Sequence, residues 1–186
     1  DFAGHLAHNV NLSIKAIMGI AGYSRILSRL GRDEEAAERM TIAKTYAADL
    51  VERAKNEDGS YRLAYDQPGT FSLKYNAVWD LLWNTNLFPS EFFTGEITRY
   101  KKELLPCGVP LDSREKYTKS DWTAWVACFA QNQEDFDAIV DPMWQAYNAT
   151  PSRVPMSDWY YCDDGRFREF RHRTVQGGLF MKLLFN

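Results

Sequence analysis

The feature that most constrains this fold is an alternation of two kinds of helix pattern along the chain. Residues 9–30 carry apolar side chains on more than one face, which predicts a helix buried on several sides. Residues 33–55 carry a single apolar stripe, which predicts an outer helix with one face in the core. The same pair of patterns then recurs. The later predicted helices are 76–86 with 90–104, 121–130 with 133–148, and an apolar seventh over about 173–185.

The connections between these helices alternate in the same order. Links from a buried helix to an outer helix are short, and Gly31 is predicted to end the first helix. Links from an outer helix to the next buried helix span 56–75, 105–120 and 149–172, with a short ribbon near Tyr61–Tyr65. Long loops in a compact protein are usually functional. If neighbouring helices are antiparallel, all long connections lie at one end, beside the N-termini of the buried helices, where the helix dipole favours anionic groups.

This plan indicates an all-α fold, an α/α toroid of antiparallel helical hairpins. A closed ring of six hairpins needs about twelve helices and roughly twice this length. We therefore predict that residues 1–186 form a single all-α domain or part-domain, the C-terminal half of a toroid. An open half-ring would leave apolar edges exposed. We expect a missing N-terminal part of the same protein, or a second copy, to cover those edges.

Charge and composition argue against several classes of partner. The net charge is only −3 and no basic stripe is present, so we expect no nucleic acid. No apolar run reaches membrane-spanning length, so we expect no membrane. We also expect no cofactor, and no metal, because His5 and His8 lack an obvious third ligand.

Three cysteines are present, and they form no CxxC motif. An odd number excludes complete pairing within the chain. Cys128 lies in an apolar helix and is predicted to fill the core. A bridge between Cys107 and Cys162 is a possibility that the sequence leaves open.

The stretch from Pro110 to Trp122 concentrates charged and aromatic residues just before an uncharged helix. It contains Asp112, Arg114, Tyr117, Lys119, Asp121 and Trp122. Charged groups at the mouth of an apolar helix suggest a lined pocket. The alternative is a solvated loop with a helix cap at Ser120.

The tripeptide Ser-Asp-Trp occurs twice, at 120–122 and 157–159. Two Asp residues in one cleft could divide the roles of acid and base if their environments separate their pKa values. The two Trp residues could form apolar walls or stack on a sugar. Alternatively, each Ser caps a helix or turn and each Trp belongs to the core. Other polar residues predicted at the same end are Asp1, His5, His8, Asp66, Arg153 and Arg173.

Several stretches in order along the chain resemble the glutaminase A family of fungi and bacteria. They are DFAGHLAHNVNLSIKAIMGIAGYS (1–24), YDQPGTFSLKYNAVWD (65–80), GVPLDSREKYTKSDWTAW (108–125), TPSRVPMSDWY (150–160) and RTVQGGLFMKLL (173–184). The family's proteins are considerably longer and are described as carrying a six-hairpin, glycosidase-like toroid after a β-rich region. The resemblance therefore implies the same toroid. The segment FRHRTVQGG differs from the family's usual FQARSVVGG, with His172 and Gln176 among the departures.

The activity that this resemblance implies is hydrolysis of L-glutamine to L-glutamate and ammonia, by a protein that is extracellular or periplasmic. The chain would then be a fragment of a hydrolase whose partner is a small-molecule substrate. Amide hydrolysis needs a base, a donor for the oxyanion and an acid for the leaving ammonia. Our hypothesis gives acid–base work to Asp121 and Asp158, and oxyanion donation to Lys119.

The remaining site residues are assigned to substrate binding. Arg114 or Arg153 would bind the α-carboxylate of glutamine and Asp112 its α-ammonium group, since an Arg can grip a carboxylate with two hydrogen bonds. The other predicted binding residues are Trp122, Trp159 and Arg173. Two alternatives stay open: a glycoside hydrolase with the same two Asp residues flanking a glycosidic bond, and a non-catalytic binding fragment.

Overall fold

Helices account for most of the regular structure in the computed structural model, which describes residue 2 and residues 4–185. The helices are α1 (Val10–Arg29), α2 (Asp33–Arg53), α3 (Val78–Trp83), α4 (Ser90–Lys102), α5 (Ser120–Ala127) and α6 (Gln133–Ala149). Two 3₁₀ elements, Tyr75–Ala77 and Thr174–Phe185, and two short strands, β1 (Tyr117–Lys119) and β2 (Trp159–Tyr161), complete the order. The all-α fold of helical hairpins predicted from the sequence is confirmed.

The hairpin of α1 and α2 shows how local sequence sets the fold. The side chain of Asn9 accepts the Leu12 N–H at 3.0 Å and so caps the start of α1. Gly31 follows the helix with φ +72°, a conformation that costs glycine little. The Arg32 N–H then donates to the Leu27 carbonyl at 3.0 Å, which closes the helix end. Gly31 therefore ends α1 as the sequence predicted.

The prediction that α1 is buried on several faces is wrong for part of its surface. Ile14, Ile17 and Ala21 are buried, but Ile26 and Leu30 are 56% and 66% exposed. The reason is that α2 covers one side of α1, whereas a second apolar stripe has no covering helix within the described residues. This stripe consists of Leu12, Ala16, Gly19, Tyr23, Ile26 and Leu30.

The last element differs from the α-helix predicted over 173–185. Residues Thr174–Phe185 form a 3₁₀ helix that packs on α5. Gly177 and Gly178 lower the α-helical propensity of this segment. A side chain at Gly178 would also lie 2.8 Å from Asp121 Cβ, so the backbone itself contacts α5 there. Phe180 and Leu183 remain exposed.

The only regular ribbon among the described residues is not the one predicted near Tyr61–Tyr65. That segment forms isolated bridges, from Tyr61 to Lys55 and from Ala64 to Asn9. The ribbon instead joins β1 to β2 in antiparallel register, with Lys119 opposite Trp159. This pairing links two segments about forty residues apart, and such long-range register is set by the tertiary fold.

The long connections meet at one end of the helices, as predicted. The residues before α1 contact the first connection, through the Asn9–Ala64 bridge. The first and second connections pair at Ser72 and Asp112, and the second and third pair through β1 and β2. Asp1, which the sequence also placed at this end, lies outside the described residues.

Within residue 2 and residues 4–185, none of the helices has the length and hydropathy needed to cross a bilayer.

Candidate functional site

The β1–β2 ribbon brings the two Ser-Asp-Trp segments together. Lys119 ends β1, and Asp158 immediately precedes β2. The Ser120 N–H donates to the Asp158 carbonyl at 2.9 Å, and Lys119 Nζ donates to Asp158 Oδ2. Lys119 is 1% exposed and Asp158 is fully buried. The ribbon therefore holds a buried lysine against a buried carboxylate.

Asp121 is the second carboxylate near the Lys119 ammonium group. It is in the first turn of α5, where the helix dipole favours a negative charge. Its Oδ1 lies 3.9 Å from Lys119 Nζ. This oxygen is buried and has no hydrogen-bond partner within residue 2 and residues 4–185. Burial raises the pKa of Asp121, and the nearby Lys119 charge lowers it in part.

Arg173 is a second cation bound to Asp158. Its Nη2 lies 2.6 Å from Asp158 Oδ2 and its Nε lies 3.2 Å from Oδ1. Its guanidinium carbon lies 3.8 Å from the centre of the Phe170 ring, in cation–π contact. Asp158 therefore accepts hydrogen bonds from two cations, which stabilises its ionised form.

Lys119 is held in a partly aromatic environment. Its Nζ lies 5.1 Å from the centre of the Phe2 ring and 5.4 Å from those of Trp122 and Phe170. Burial lowers the pKa of Lys119 to about 8; the Asp121 charge opposes this shift and the Arg173 charge adds to it. Lys119 therefore loses its proton at a lower pH than an exposed lysine does. We call Lys119, Asp121, Asp158 and Arg173 the Lys119 cluster.

The two tryptophans of the repeated tripeptide have different surroundings. Trp122 is half-buried and stacks on Tyr75, with ring centres 4.0 Å apart and planes 5° apart. Trp159 is buried and packs edge-on against Phe2 and Tyr117 at 4.8 and 5.2 Å. Trp122 thus borders the Lys119 cluster, whereas Trp159 belongs to the core beneath it.

The interpretation of 110–122 as a solvated loop capped by Ser120 is wrong for its second half. Residues 117–121 are all buried, and only 113–116 are exposed. Lys119 occupies the N-cap position, with no side-chain cap. The Ser120 hydroxyl instead donates to Gln176 Oε1 at 3.2 Å. The ribbon removes this segment from solvent, which its local composition does not reveal.

Asp112 and Arg114 lie apart from the Lys119 cluster and bind each other. Arg114 Nε lies 2.9 Å from Asp112 Oδ1, and Nη2 lies 2.7 Å from Oδ2. This pair borders a cavity of about 360 Å³ that also contacts Phe71 and Arg99. Arg153 is exposed, with φ +47°. The roles assigned to these residues in substrate binding stay predictions.

The two early histidines are both exposed. His8 Nδ1 lies 3.0 Å from Asp66 Oδ2. Within residue 2 and residues 4–185, no three His, Cys, Asp or Glu side chains come close enough to hold a metal ion.

The structure contains a second buried ionic cluster that the sequence patterns did not reveal. Lys74 Nζ donates to Ser72 Oγ, to the Ser72 carbonyl and to the Tyr61 carbonyl, each at 2.9 Å, and lies 3.8 Å from Glu96 Oε2. Glu96 accepts the Tyr61 N–H at 2.7 Å and the Tyr100 hydroxyl. Lys74 and Glu96 are fully buried. We call these five residues the Lys74 cluster. The sequence feature that could have predicted this cluster is the charged Glu96 on the apolar stripe of α4, one turn before Tyr100.

Comparison with known proteins identifies a matching family and two relatives. The model of the glutaminase A six helical-hairpin domain matches residues 1–183. Glutaminase A of Aspergillus oryzae (strain ATCC 42149 / RIB 40) is 32% identical over 194 residues, which cover 99% of this chain and 27% of that protein. A protein of Arthroderma benhamiae (strain ATCC MYA-4681 / CBS 112371) named probable glutaminase/05536 is 29% identical over 215 residues, covering 97% and 24%. The chain thus spans about a quarter of the length of these relatives.

Proposed function

The chain belongs to the glutaminase A six helical-hairpin domain family, and from this premise we propose that it supplies the acid–base groups for hydrolysis of L-glutamine to L-glutamate and ammonia. The observation that carries the proposal is the buried Asp121 Oδ1, which has no hydrogen-bond partner among the described residues and lies 3.9 Å from the Lys119 ammonium group. The relatives' names supply the substrate. Since the chain covers only part of them, the reaction is proposed for the full-length protein.

Asp121 is the general base and acid in this proposal. Its raised pKa makes it a stronger base than an exposed Asp, and its Oδ1 is available to accept a proton from water. The resulting hydroxide attacks the side-chain amide carbon of glutamine. The protonated Asp121 then donates to the amide nitrogen, the C–N bond breaks, and ammonia leaves with L-glutamate.

Lys119 stabilises the oxyanion that forms on the carbonyl oxygen during this attack. A buried ammonium group binds such a charge strongly because water is excluded around it. Asp158 orients Lys119 and is itself held by Arg173. We therefore give the proton transfers to Asp121 and an orienting role to Asp158, instead of sharing acid–base work between the two Asp residues.

The α-carboxylate and α-ammonium groups of glutamine need binding partners as well. Because the Arg114 guanidinium is engaged by Asp112, the exposed Arg153 is the better candidate for the carboxylate. Asp112 would bind the ammonium group only if glutamine displaced Arg114. Trp122, stacked on Tyr75, supplies a flat apolar wall beside Asp121.

The exposed apolar stripe on α1 and the exposed Phe180 and Leu183 suggest a further partner. We propose that another part of the full-length protein, or a second copy, covers these surfaces. We also propose that the protein is extracellular or periplasmic, as the resemblance implied.

A glycoside hydrolase is the second candidate. The observation that favours it is the Tyr75–Trp122 stack beside a buried carboxylate, since aromatic rings bind the faces of sugars. Against it, both Asp158 oxygens already accept hydrogen bonds from Lys119 or Arg173, which leaves this carboxylate poorly placed to act as the second catalytic carboxylate of a glycosidase.

The test is ammonia release from L-glutamine by the full-length protein, with a panel of glycosides assayed in parallel. We expect Asp121→Asn to lower turnover by about 10²- to 10⁴-fold, because the amide cannot accept the proton. Asp66→Asn is the matched control, since Asp66 is exposed and bonded to His8 at the same end of the fold. Circular dichroism should show both variants folded.

Three other outcomes would change the assignment. Unchanged turnover in Asp121→Asn would remove Asp121 from the mechanism. Sugar release without ammonia would move the cluster into a glycosidase. No release from either substrate class would leave a binding module.

A further inference from the structure

Two of the three cysteines lie side by side on different connections. Cys107 follows α4, and Cys162 follows β2. The Cys107 N–H donates to the Cys162 carbonyl at 2.7 Å. Standard bond lengths then hold the two Cα atoms at most about 6.6 Å apart. A disulfide spans Cα distances of about 4.4–6.8 Å, so the backbone positions suit one.

The side chains also face each other's segments. Gly108 follows Cys107, and a Cβ built there would lie 3.9 Å from the Cys162 sulfur. Gly165 follows Cys162 by three residues, and a Cβ there would lie 3.4 Å from the Cys107 sulfur. Each sulfur is thus in contact with the connection that carries the other. Tyr160 lies beside them, with its hydroxyl 3.3 Å from the Gly108 Cβ position.

We propose that Cys107 and Cys162 form a disulfide bond in the mature protein. A low-molecular-weight disulfide such as oxidised glutathione is a sufficient oxidant. The Cys107 thiolate attacks one sulfur of oxidised glutathione, forming a mixed disulfide and releasing one glutathione. The Cys162 thiolate then attacks the Cys107 sulfur and releases the second. Two protein thiols lose two protons and two electrons, and one oxidised glutathione becomes two reduced molecules.

The third cysteine serves as an internal control. Cys128 ends α5, and its thiol donates to the Ala124 carbonyl at 3.4 Å within the same helix. All three thiols are buried. Because the Cys128 thiol is bonded within its own helix, Cys128 should stay a thiol under conditions that oxidise the other two.

The proposed bond lies at the end of the β1–β2 ribbon where Tyr117 pairs with Tyr161, opposite the end that carries Lys119. The Cys162 N–H donates to the Lys116 carbonyl at 2.7 Å, one residue before β1. The bond would close one loop containing α5 and α6 and fix the register that sets Lys119 beside Asp158. It does not depend on what the full-length protein hydrolyses.

The bond should form during folding. Burial raises the pKa of both thiols, so little thiolate is available for exchange once the chain has folded. The experiment is therefore to fold the full-length protein with oxidised glutathione, alkylate it without reductant, and map its tryptic peptides. Trypsin places the three cysteines in separate peptides, 103–114, 120–153 and 154–166.

We expect peptides 103–114 and 154–166 to be joined, with a mass two hydrogens below their sum, and to separate on reduction. Peptide 120–153 should carry the alkyl group. Alkylation of all three cysteines after oxidative folding, or a link that uses Cys128, would overturn the proposal.

Serine variants provide a second readout that does not rely on peptide recovery. Cys107→Ser and Cys162→Ser should each free one additional thiol and lower the melting temperature by several degrees. The double variant should have the same melting temperature as either single variant, because each substitution removes the same bond. Cys128→Ser should retain the cross-linked peptide. Additive losses in the double variant would contradict a shared bond.

Discussion

The Lys119 cluster and the Lys74 cluster both bury a lysine beside a carboxylate, but they differ in how completely their polar atoms are paired. Lys74 makes three hydrogen bonds, and both Glu96 oxygens accept one. In the Lys119 cluster, Asp158 accepts from two cations while Asp121 Oδ1 accepts no hydrogen bond from the described residues. Arg173 also reaches solvent, with 37% of its side chain exposed.

The difference shows that a perturbed pKa alone does not identify a functional site. Burial lowers the pKa of Lys74 and of Lys119, and it raises the pKa of Glu96 and of Asp121. What separates the clusters is the pairing of their atoms. A buried polar atom without a partner costs stability, so its presence calls for an explanation such as a substrate. A cluster whose buried polar atoms are all paired needs no ligand to account for it and is a structural element.

The largest expected effect is on the free energy of unfolding, which should fall more when the lysine of the Lys74 cluster is replaced than when that of the Lys119 cluster is. Lys74→Met should lower the free energy of unfolding by about 3–5 kcal/mol, because Glu96 loses the only cation within ion-pair distance of it in the described residues. Lys119→Met should cost less, about 1–3 kcal/mol, because Arg173 still neutralises Asp158. Urea unfolding of the full-length protein measures both. Equal losses would show that pairing does not distinguish the two clusters.

A smaller effect tests whether the position of Asp121 matters for turnover. Gly178→Ala would place a methyl group 2.8 Å from Asp121 Cβ and 2.9 Å from Trp125 Nε1. We expect Asp121 to shift and turnover to fall roughly 10- to 100-fold. Gly177→Ala is the matched control, since its Cβ would meet nothing within 4 Å. Glutamine kinetics of both variants provide the measurement, and similar rates would argue against a precise position for Asp121.

The smallest effect concerns pH, where activity and stability should move in opposite directions. With the pKa of Lys119 lowered to about 8, kcat/KM should fall about tenfold per pH unit above that value. Between pH 8 and 10.5, the ordinary pKa of a lysine, the unfolded state binds more protons at this lysine than the folded state. Its contribution to stability therefore rises with pH across this window.

Lys119→Arg sharpens this test because arginine stays protonated throughout the range. The variant should lose the alkaline decline in kcat/KM while keeping part of the activity. A pH–rate profile that still falls near pH 8 would assign that decline to another group.

Local sequence patterns were sufficient to predict the hairpins and the end of the fold where the site lies. The apolar spacing along α1, α2 and α4 and the Gly31 helix end depend on neighbouring residues, so they can be inferred without the fold. The alternation of short and long connections can also be inferred from the sequence, and it placed Lys119, Asp121 and Asp158 at one end of the helices. The sequence also indicated that α1 is apolar on more than one face, but which of those faces is exposed depends on which helices cover it.

The polar contacts that join distant segments were decided only by tertiary structure. The register of β1 with β2 determines that Lys119 meets Asp158 and that Trp159 is buried, while Trp122 stacks on Tyr75. The burial of Lys74 against Glu96 arises in the same way, whereas Asp112 and Arg114 pair locally, two residues apart. Periodicity is a property of nearby residues, whereas these contacts join segments that are distant in sequence or depend on which surfaces remain open. The sequence by itself therefore determined the helices α1 to α6 and the end of the fold that carries the candidate site, and the tertiary structure decided which of its residues act together.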